Sequence, residues 1–420
     1  MINMFYKEDH WVVMTFWNSL YLAFFLLPLG INLPTPFFII SIIFGVVIVF
    51  KYPKKFVLDK SVLVFPLYFL VMCFGLIYTD NLLDGISLIQ RSLSLLLFPI
   101  IFLFVKEDAA TVKKLFDFLL MGLIVSFFIN SFYAVNDLLK YIVSEKQDFV
   151  LFSFLDRLCK EWHHFFIGSN FSKFVNSNYV SIYILLVLSY YLRNKLKSRT
   201  QLIVVVLLFL YLFLLASISS YLILTIMSLL LVIDIRNKEK KYTMFIVFFM
   251  GLILFLNSPR VSDLYSNIKE FTEKGDIKNI TSEKSKVLSW DASIRLIKEA
   301  PIFGYGVGDA NDVLLKKYNE LGYVSNYKNN YNAHNQFLQT YLQTGIIGFC
   351  ILISIFILLV LRMKRNPNAL SVFLILFISL LFESMLVRFN GIVFFSIVIP
   401  LLLKKRSILS SRIIRNDTID

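Results

Sequence analysis

The 420-residue sequence predicts an all-α, polytopic membrane protein of about twelve transmembrane helices, on three observations. Hydrophobic residue types make up 58% of it and charged ones 17%, with 44 phenylalanines. A soluble fold leaves too much of its surface wet to hide that much apolar area. The apolar residues gather into long runs, and about 20 such residues in a helix cross a hydrocarbon core. Lysine and arginine collect in alternate gaps between the runs, the asymmetry that orients membrane proteins.

By length and hydropathy the spans fall at roughly 12–31, 36–50, 61–78, 88–105, 115–135, 174–192, 201–216, 219–233, 242–257, 337–361, 369–387 and 391–403. The first run follows Lys7, Glu8 and Asp9 and ends in Leu29–Pro34 without a small-residue cleavage pattern, so it reads as a membrane helix and not a removed signal. With the N-terminus in the cytoplasm, the cytoplasmic gaps hold Lys51, Lys54, Lys55 and Lys60, then Lys106, Lys113 and Lys114, and later Arg362, Lys364 and Arg365. The opposite short gaps hold almost none beyond Arg91 and Arg388, so both termini are expected in the cytoplasm. The formal net charge of +14 is accounted for by these clusters and does not point to nucleic acid.

Two long gaps, 136–173 and 258–336, then lie outside the cytoplasm. The chain divides into a membrane domain of about nine spans over 1–257, a large extracytoplasmic loop with amphipathic helices over 258–336, C-terminal spans over 337–403 and a basic tail over 404–420. Cys73 and Cys350 sit in apolar runs and Cys159 stands alone in a polar loop, a pattern that makes neither a disulfide framework nor a zinc site.

Chemistry is sought in the larger loop, because long ordered loops usually carry function. Residues 284–299, KSKVLSWDASIRLIKE, predict an amphipathic helix with Val287, Trp290, Ile294 and Ile297 on its apolar face. Lys286, four residues before Trp290, shares its side and is placed to hold a phosphate. Arg295 is half a turn out of phase and placed to pair with Asp291. PIFGYGVGD follows, with Gly304, Gly306 and Gly308. It lacks the lysine–hydroxyl pair of a phosphate loop and reads as a tight turn.

His334, in NAHNQFLQTYLQTGIIGF, is the only histidine of this loop and stands at the start of an apolar helix. Phe337, Leu338, Tyr341, Leu342 and Gly345 follow on one face, which is read as packing inward. A lone histidine there is often structural, but it is also the side chain that can accept a proton near neutral pH. His10 precedes the first run, and the adjacent His163 and His164, beside Trp162, read as an interfacial patch. Glu383 and Arg388 flank the end of the eleventh span, and ionisable groups so close to a membrane helix are functional candidates by default.

Trp290 through Pro301, Phe303-Gly304, Gly306-Val307-Gly308, His334-Asn335, Leu338 and Gly345–Gly348, with Glu383, Arg388 and Gly391 in FESMLVRFNGIVFF, together resemble the O-antigen ligase/polymerase family. The resemblance is sharpest over 286–396. It implies a GT-C-like membrane glycosyltransferase in the bacterial inner membrane. It further implies a glycan donor on undecaprenyl pyrophosphate, a glycan or lipid A–core acceptor, and inverting transfer on the periplasmic face that needs neither metal nor cofactor. The motif histidine maps onto His334, and a basic residue four before the loop tryptophan onto Lys286, where the family more often has arginine. Trp290, Gly304, Gly306, Asn335, Gly345 and Glu383 are the motif and positioning residues.

Two positions depart from the pattern: Ser219-Ser220-Tyr221 lacks the arginine of a Ser-Arg-Gly, and Gln343 stands where an acidic residue is common. Arg388 or Arg91 would then help to neutralise the pyrophosphate. Ligation to lipid A–core, polymerisation and transfer to protein all fit the family, with ligation favoured. A polysaccharide transporter is the reading from another class. It would place ionisable groups near the bilayer midplane, where this sequence has few.

Overall fold

The computed structural model describes residues 5–7, 10–51, 60–105, 109–144, 164–191, 199–234, 282–299, 302–363 and 367–403, with scattered positions between 242 and 269. Among the described residues all regular structure is helical. The expected ninth span, Cys159, Trp162, His163, the loop up to 281 and the tail from 404 lie wholly or largely outside them.

The first helices are α1 (Trp11–Leu26), α2 (Thr35–Lys51), α3 (Val64–Gly75), α4 (Leu82–Ser92), α5 (Ser94–Phe104) and α6 (Ala109–Ser144). They are followed by α7 (Ser177–Tyr191), α8 (Arg199–Leu215) and α9 (Ile218–Asp234). After the second long gap come α10 (Ser282–Glu299), α11 (Ala310–Glu320) and α12 (Val324–Lys328). The chain closes with α13 (Gln336–Met363), α14 (Pro367–Phe382) and α15 (Phe389–Leu403).

Three stretches, Leu82–Phe104, Ala110–Tyr141 and Gln336–Leu361, are long and apolar enough to cross a membrane by length and composition. Shorter apolar helices include Trp11–Leu26, Thr35–Lys51, Arg199–Leu215 and Phe389–Leu401. Many large side chains face outward, among them Phe50 at 81% exposure and Ile203 at 65%. Such a surface is costly in water and matched to lipid. The inward phenylalanines form a connected aromatic core. Phe16 and Trp17 meet Phe102, which stacks on Phe98, and Phe98 meets Phe38. Each such pair adds about 0.5–1.5 kcal/mol beyond area burial.

Several boundaries depart from the sequence reading. Helix α6 continues well past 135, because AVNDLLKYIVS keeps helix-forming residues after the apolar run ends. The fourth span starts at Leu82, where Asn81 caps α4 by accepting the Asp84 N–H at 3.2 Å. The eleventh span ends at Phe382 and not at 387: Glu383 and Ser384 leave the helix, and Met385–Val387 form a short 3-10 turn. The tenth span is broken at Gly345, whose φ of 64° and ψ of −157° are not helical.

The elements that build the candidate site meet at one end of the bundle. Ser217, just before α9, donates its hydroxyl to Asn178 in the first turn of α7 at 2.9 Å. The Leu386 N–H of the 3-10 turn donates to the Gln336 side chain, at the start of α13, at 2.6 Å. The N-terminal ends of α7 and α9 thus meet each other, and the start of α13 meets the turn between α14 and α15. Helices α10–α12 pack beside it around Ala292, Leu296, Ala310, Leu314, Tyr318 and Leu342.

Candidate functional site

The break in α13 is where the glycine motifs acquire a physical reason. An unbroken helix would bond the Ile346 N–H to the Leu342 carbonyl. Here the Ile346 N–H donates to the Ile302 carbonyl at 3.0 Å, and the Leu342 carbonyl accepts the Tyr305 N–H at 2.7 Å. The 302–305 loop thus enters the break and satisfies both freed groups, which a buried backbone requires. The approach demands glycine on both sides. A Cβ on Gly304 would lie 2.6 Å from the Gly345 nitrogen, and one on Gly345 would strike the Ile302 carbonyl. Gly306, at φ 104°, is closed in by the Thr79 hydroxyl. The Asp309 carboxylate accepts the Asp80 and Asn81 N–H groups at 2.8 and 2.7 Å, which pins the glycine turn to the α3–α4 connection.

Above the break, the half-helix 336–344 presents Gln336, Gln339, Thr340, Gln343 and Thr344 as buried polar residues. The Gln339 side chain accepts the Ala333 N–H at 3.0 Å and donates to Asn311 at 3.1 Å. The sequence reading placed only Phe337, Leu338, Tyr341, Leu342 and Gly345 inward. Leu338 and Tyr341 are in fact half-exposed, and the polar row takes the buried side. The signal was present as Gln336, Gln339/Thr340 and Gln343/Thr344 at helical spacing, a stripe obscured by its polarity.

Asn335 caps this half-helix, its side-chain oxygen accepting the Phe337 and Leu338 N–H groups at 2.9 and 3.2 Å. His334 precedes it in a left-handed conformation, φ 47°. Non-glycine residues there carry about 1–3 kcal/mol of strain and need their surroundings to hold them. Two bonds do so: the His334 N–H donates to the Asn332 side chain at 3.0 Å, and the Trp290 indole N–H donates to the His334 carbonyl at 3.3 Å. Trp290 also packs on Phe382, the last residue of α14.

These constraints direct the imidazole toward Glu383. Nδ1 of His334 lies 3.8 Å from a Glu383 carboxylate oxygen, the two side chains being 15% and 6% exposed. Burial pushes the Glu383 carboxyl up. The His334 imidazole, with Arg388 and Lys286 beyond it, outweighs burial and holds it below its ordinary value of 4.5. Neither His334 Nδ1 nor the second Glu383 oxygen has a hydrogen-bond partner among the described residues. At 3.8 Å the carboxylate faces Nδ1 from beyond hydrogen-bond reach.

The corner gathers the other sequence-derived candidates. Lys286 and Arg388 both act on Glu383 through their charge. Arg91 is exposed and donates to the Val387 carbonyl at 3.0 Å, next to Arg388 in the chain. Arg295 pairs with Asp291 at 2.8 Å, as helical spacing predicts. The apolar face expected for α10 is corrected. Its buried apolar residues are Val287, Leu288, Ala292 and Leu296, whereas Ile294 is 46% exposed. The face is rotated because Ser289 is drawn inward, accepting from Tyr318 and Asn326 at 2.9 Å each. Sequence reading missed that network, along with Tyr68, whose hydroxyl lies 3.0 Å from Thr340.

Comparison with known proteins finds a family model that matches part of this corner. Residues 203–353 match the family model described as O-antigen ligase, which bears out the resemblance read from the motifs. The matched segment includes α10 to the middle of α13, and so Lys286, Trp290, Gly304, Gly306, His334, Asn335 and Gly345. An uncharacterised protein of Haemophilus influenzae is 28% identical over 138 residues, covering 31% of this chain and 34% of that protein. The alignment thus spans about a third of that relative's length.

Proposed function

We propose that the chain is a glycosyltransferase that moves a glycan from undecaprenyl pyrophosphate to an acceptor hydroxyl, with lipid A–core as the favoured acceptor. The observation that carries this reading is the buried Glu383–His334 pair. It stands beside Lys286 and Arg388 in a chain matching the O-antigen ligase family. His334 Nε2 takes the proton of the acceptor hydroxyl as that oxygen bonds to the anomeric carbon, a contribution of about 10²–10⁴-fold. The bond from that carbon to the pyrophosphate oxygen breaks with inversion. Lys286, Arg388 and Arg91 offset the charge that gathers on the departing pyrophosphate.

The reading includes about twelve spans in a GT-C-like arrangement within the bacterial inner membrane, both termini cytoplasmic. The loop over 258–336 and the catalytic corner then face the periplasm. Membrane lipid surrounds the outward-facing side chains. His334, Glu383, Lys286 and Arg388 stand at helix ends or beside them, outside the apolar runs, which supports an enzyme over a polysaccharide transporter. In a deletion strain, a ligase leaves lipopolysaccharide without long chains while lipid-linked polymer accumulates. Single-repeat caps would instead assign polymerisation, and unchanged lipopolysaccharide with loss of a glycoprotein would assign transfer to protein.

Lys286 gives a test of donor binding. Lys286→Ala should raise the donor concentration needed for half-maximal transfer about tenfold, whereas Arg295→Ala, whose cation is already paired with Asp291, should change it little. Lys286→Arg should retain function, since a guanidinium also binds phosphate. Equal losses at 286 and 295 in a donor titration would contradict the assignment.

A further inference from the structure

Helix α13 does not continue in line through Gly345. The ring centroids of Phe337 and Phe356 lie 5.9 Å apart, whereas an unbroken helix would separate these residues by about 28 Å. Tyr341 and Phe349 meet across the same break at 6.0 Å. A Cβ on Gly348 would lie 2.6 Å from the Thr344 Cβ and 3.6 Å from the Thr340 methyl, which a straight helix would hold about 12 Å away. The half-helix 336–344 therefore turns back at Gly345 and packs antiparallel against 346–363. The reversal leaves no backbone bare, because the 302–305 loop takes the Leu342 carbonyl and the Ile346 N–H. Composition agrees with it. The half-helix buries Gln336, Gln339, Thr340, Gln343 and Thr344, a poor set for the outer half of a lipid-facing span. Gln336 donates to Thr340 at 3.0 Å, and the Thr340 hydroxyl lies 3.0 Å from that of Tyr68 in the apolar helix α3.

Residues 346–363 by themselves cover about 27 Å, close to the thickness of a hydrocarbon core, and Arg362, Lys364 and Arg365 mark their far end. The turn is apolar on its outside. Ile302, Phe303, Ile346 and Ile347 are all exposed there, and Phe303 packs 6.2 Å from Phe74 of α3. An apolar rim of this kind is matched to lipid and not to water. We propose that 336–344 is a re-entrant half-helix. The tenth crossing is then 346–363 alone, the Gly345 turn sits in the extracytoplasmic leaflet, and His334 lies at the inner end of the re-entrant segment. The candidate catalytic corner is recessed behind a lipid-facing rim, not raised on an external loop, and the donor's diphosphate meets it at membrane level. This rests on the glycosyltransferase reading only for calling the corner a transfer site.

The test uses the full chain in lipid nanodiscs, with Cys73, Cys159 and Cys350 replaced by serine. Dibromobimane, which fluoresces on bridging two nearby thiols with loss of two bromides, should join Phe337→Cys to Phe356→Cys and link their peptides. The pair Tyr341→Cys and Phe349→Cys, at half-exposed positions, should bridge as well and keeps the test open if the buried pair does not fold. For depth, a single bimane label on Ile302→Cys or Ile347→Cys should lose most of its fluorescence to a doxyl-bearing lipid. The same label on Lys328→Cys, exposed on the polar helix α12, should keep it. No bridge in either pair, in protein at wild-type abundance, would overturn the fold-back. Bridging with the labels at 302 and 347 quenched no more than that at 328 would overturn the re-entry. Glycan transfer by the wild type, measured alongside, separates this inference from the reading beneath it. Bridging and quenching in a protein that transfers no glycan defeat only that reading, and transfer without bridging defeats only the re-entrant half-helix.

Discussion

His334→Ala should cut glycan transfer by about 10²–10⁴-fold while leaving the protein in the membrane at its normal level. The imidazole is directed at Glu383, and its backbone is held by Trp290 and Asn332, so truncation removes the proton acceptor and leaves both backbone ties in place. His334→Gln should fail equally, because an amide bonds to a hydroxyl but does not accept its proton at useful pH. If His334 were structural, glutamine would restore transfer and alanine would lower abundance instead. The Glu383 carboxyl is held below its usual 4.5, so it stays ionised near neutral pH. Its contribution to stability carries the corresponding sign: fully present above the unfolded carboxyl's pKa and lost as pH falls through the lower folded value. Glu383→Gln should therefore remove the acid-side loss of stability and weaken transfer less than His334→Ala does. Purified variants assayed across pH, with thermal unfolding in parallel, check each part.

Gly345→Ala should lower stability by about 2–4 kcal/mol. The residue sits at φ 64°, and an added Cβ would press on the Ile302 carbonyl and lie 2.6 Å from the Gly304 nitrogen. Both contacts are to backbone, which cannot rotate aside. Relief would expel the 302–305 loop and leave the Ile346 N–H and Leu342 carbonyl without their partners. Gly304→Ala should act in the same direction, since its Cβ meets the same backbone from the other side. Gly322 supplies the contrast: φ is 72° there too, but nothing lies within 4 Å of an added Cβ. Its alanine variant should lose only about 1 kcal/mol, from backbone strain alone. Thermal unfolding in detergent and abundance in membranes measure the difference. A Gly345→Ala protein as stable as Gly322→Ala would remove the interlock from the explanation.

Much of the helical framework is legible in the sequence because apolar runs are long and a bilayer needs little else. The ends of the helices are less so. Whether a helix stops at 135 or runs on through α6 depends on propensity after the apolar run has ended, which hydropathy does not register. Glu383 was readable as an ionisable residue beside a span. Its pairing with His334 was not, since α13 and α14 meet there only through tertiary packing. The Gly304–Gly345 interlock shows the same limit. Each glycine stood out in a motif, but only the fold shows that each is needed because of the other. The polar row of α13 and the inward turn of Ser289 were hidden by the assumption that the buried face of a helix is its apolar one.

The decisive measurement is the fate of the lipid carrier in a reaction of the purified protein, a lipid-linked glycan and an acceptor. A glycosyltransferase of the proposed kind releases one undecaprenyl pyrophosphate for each glycan transferred, and the new bond has the anomeric configuration opposite to that in the donor. His334→Ala should abolish release and transfer together. Movement of intact lipid-linked glycan across the bilayer without release of undecaprenyl pyrophosphate would contradict the proposal and leave a transporter in its place.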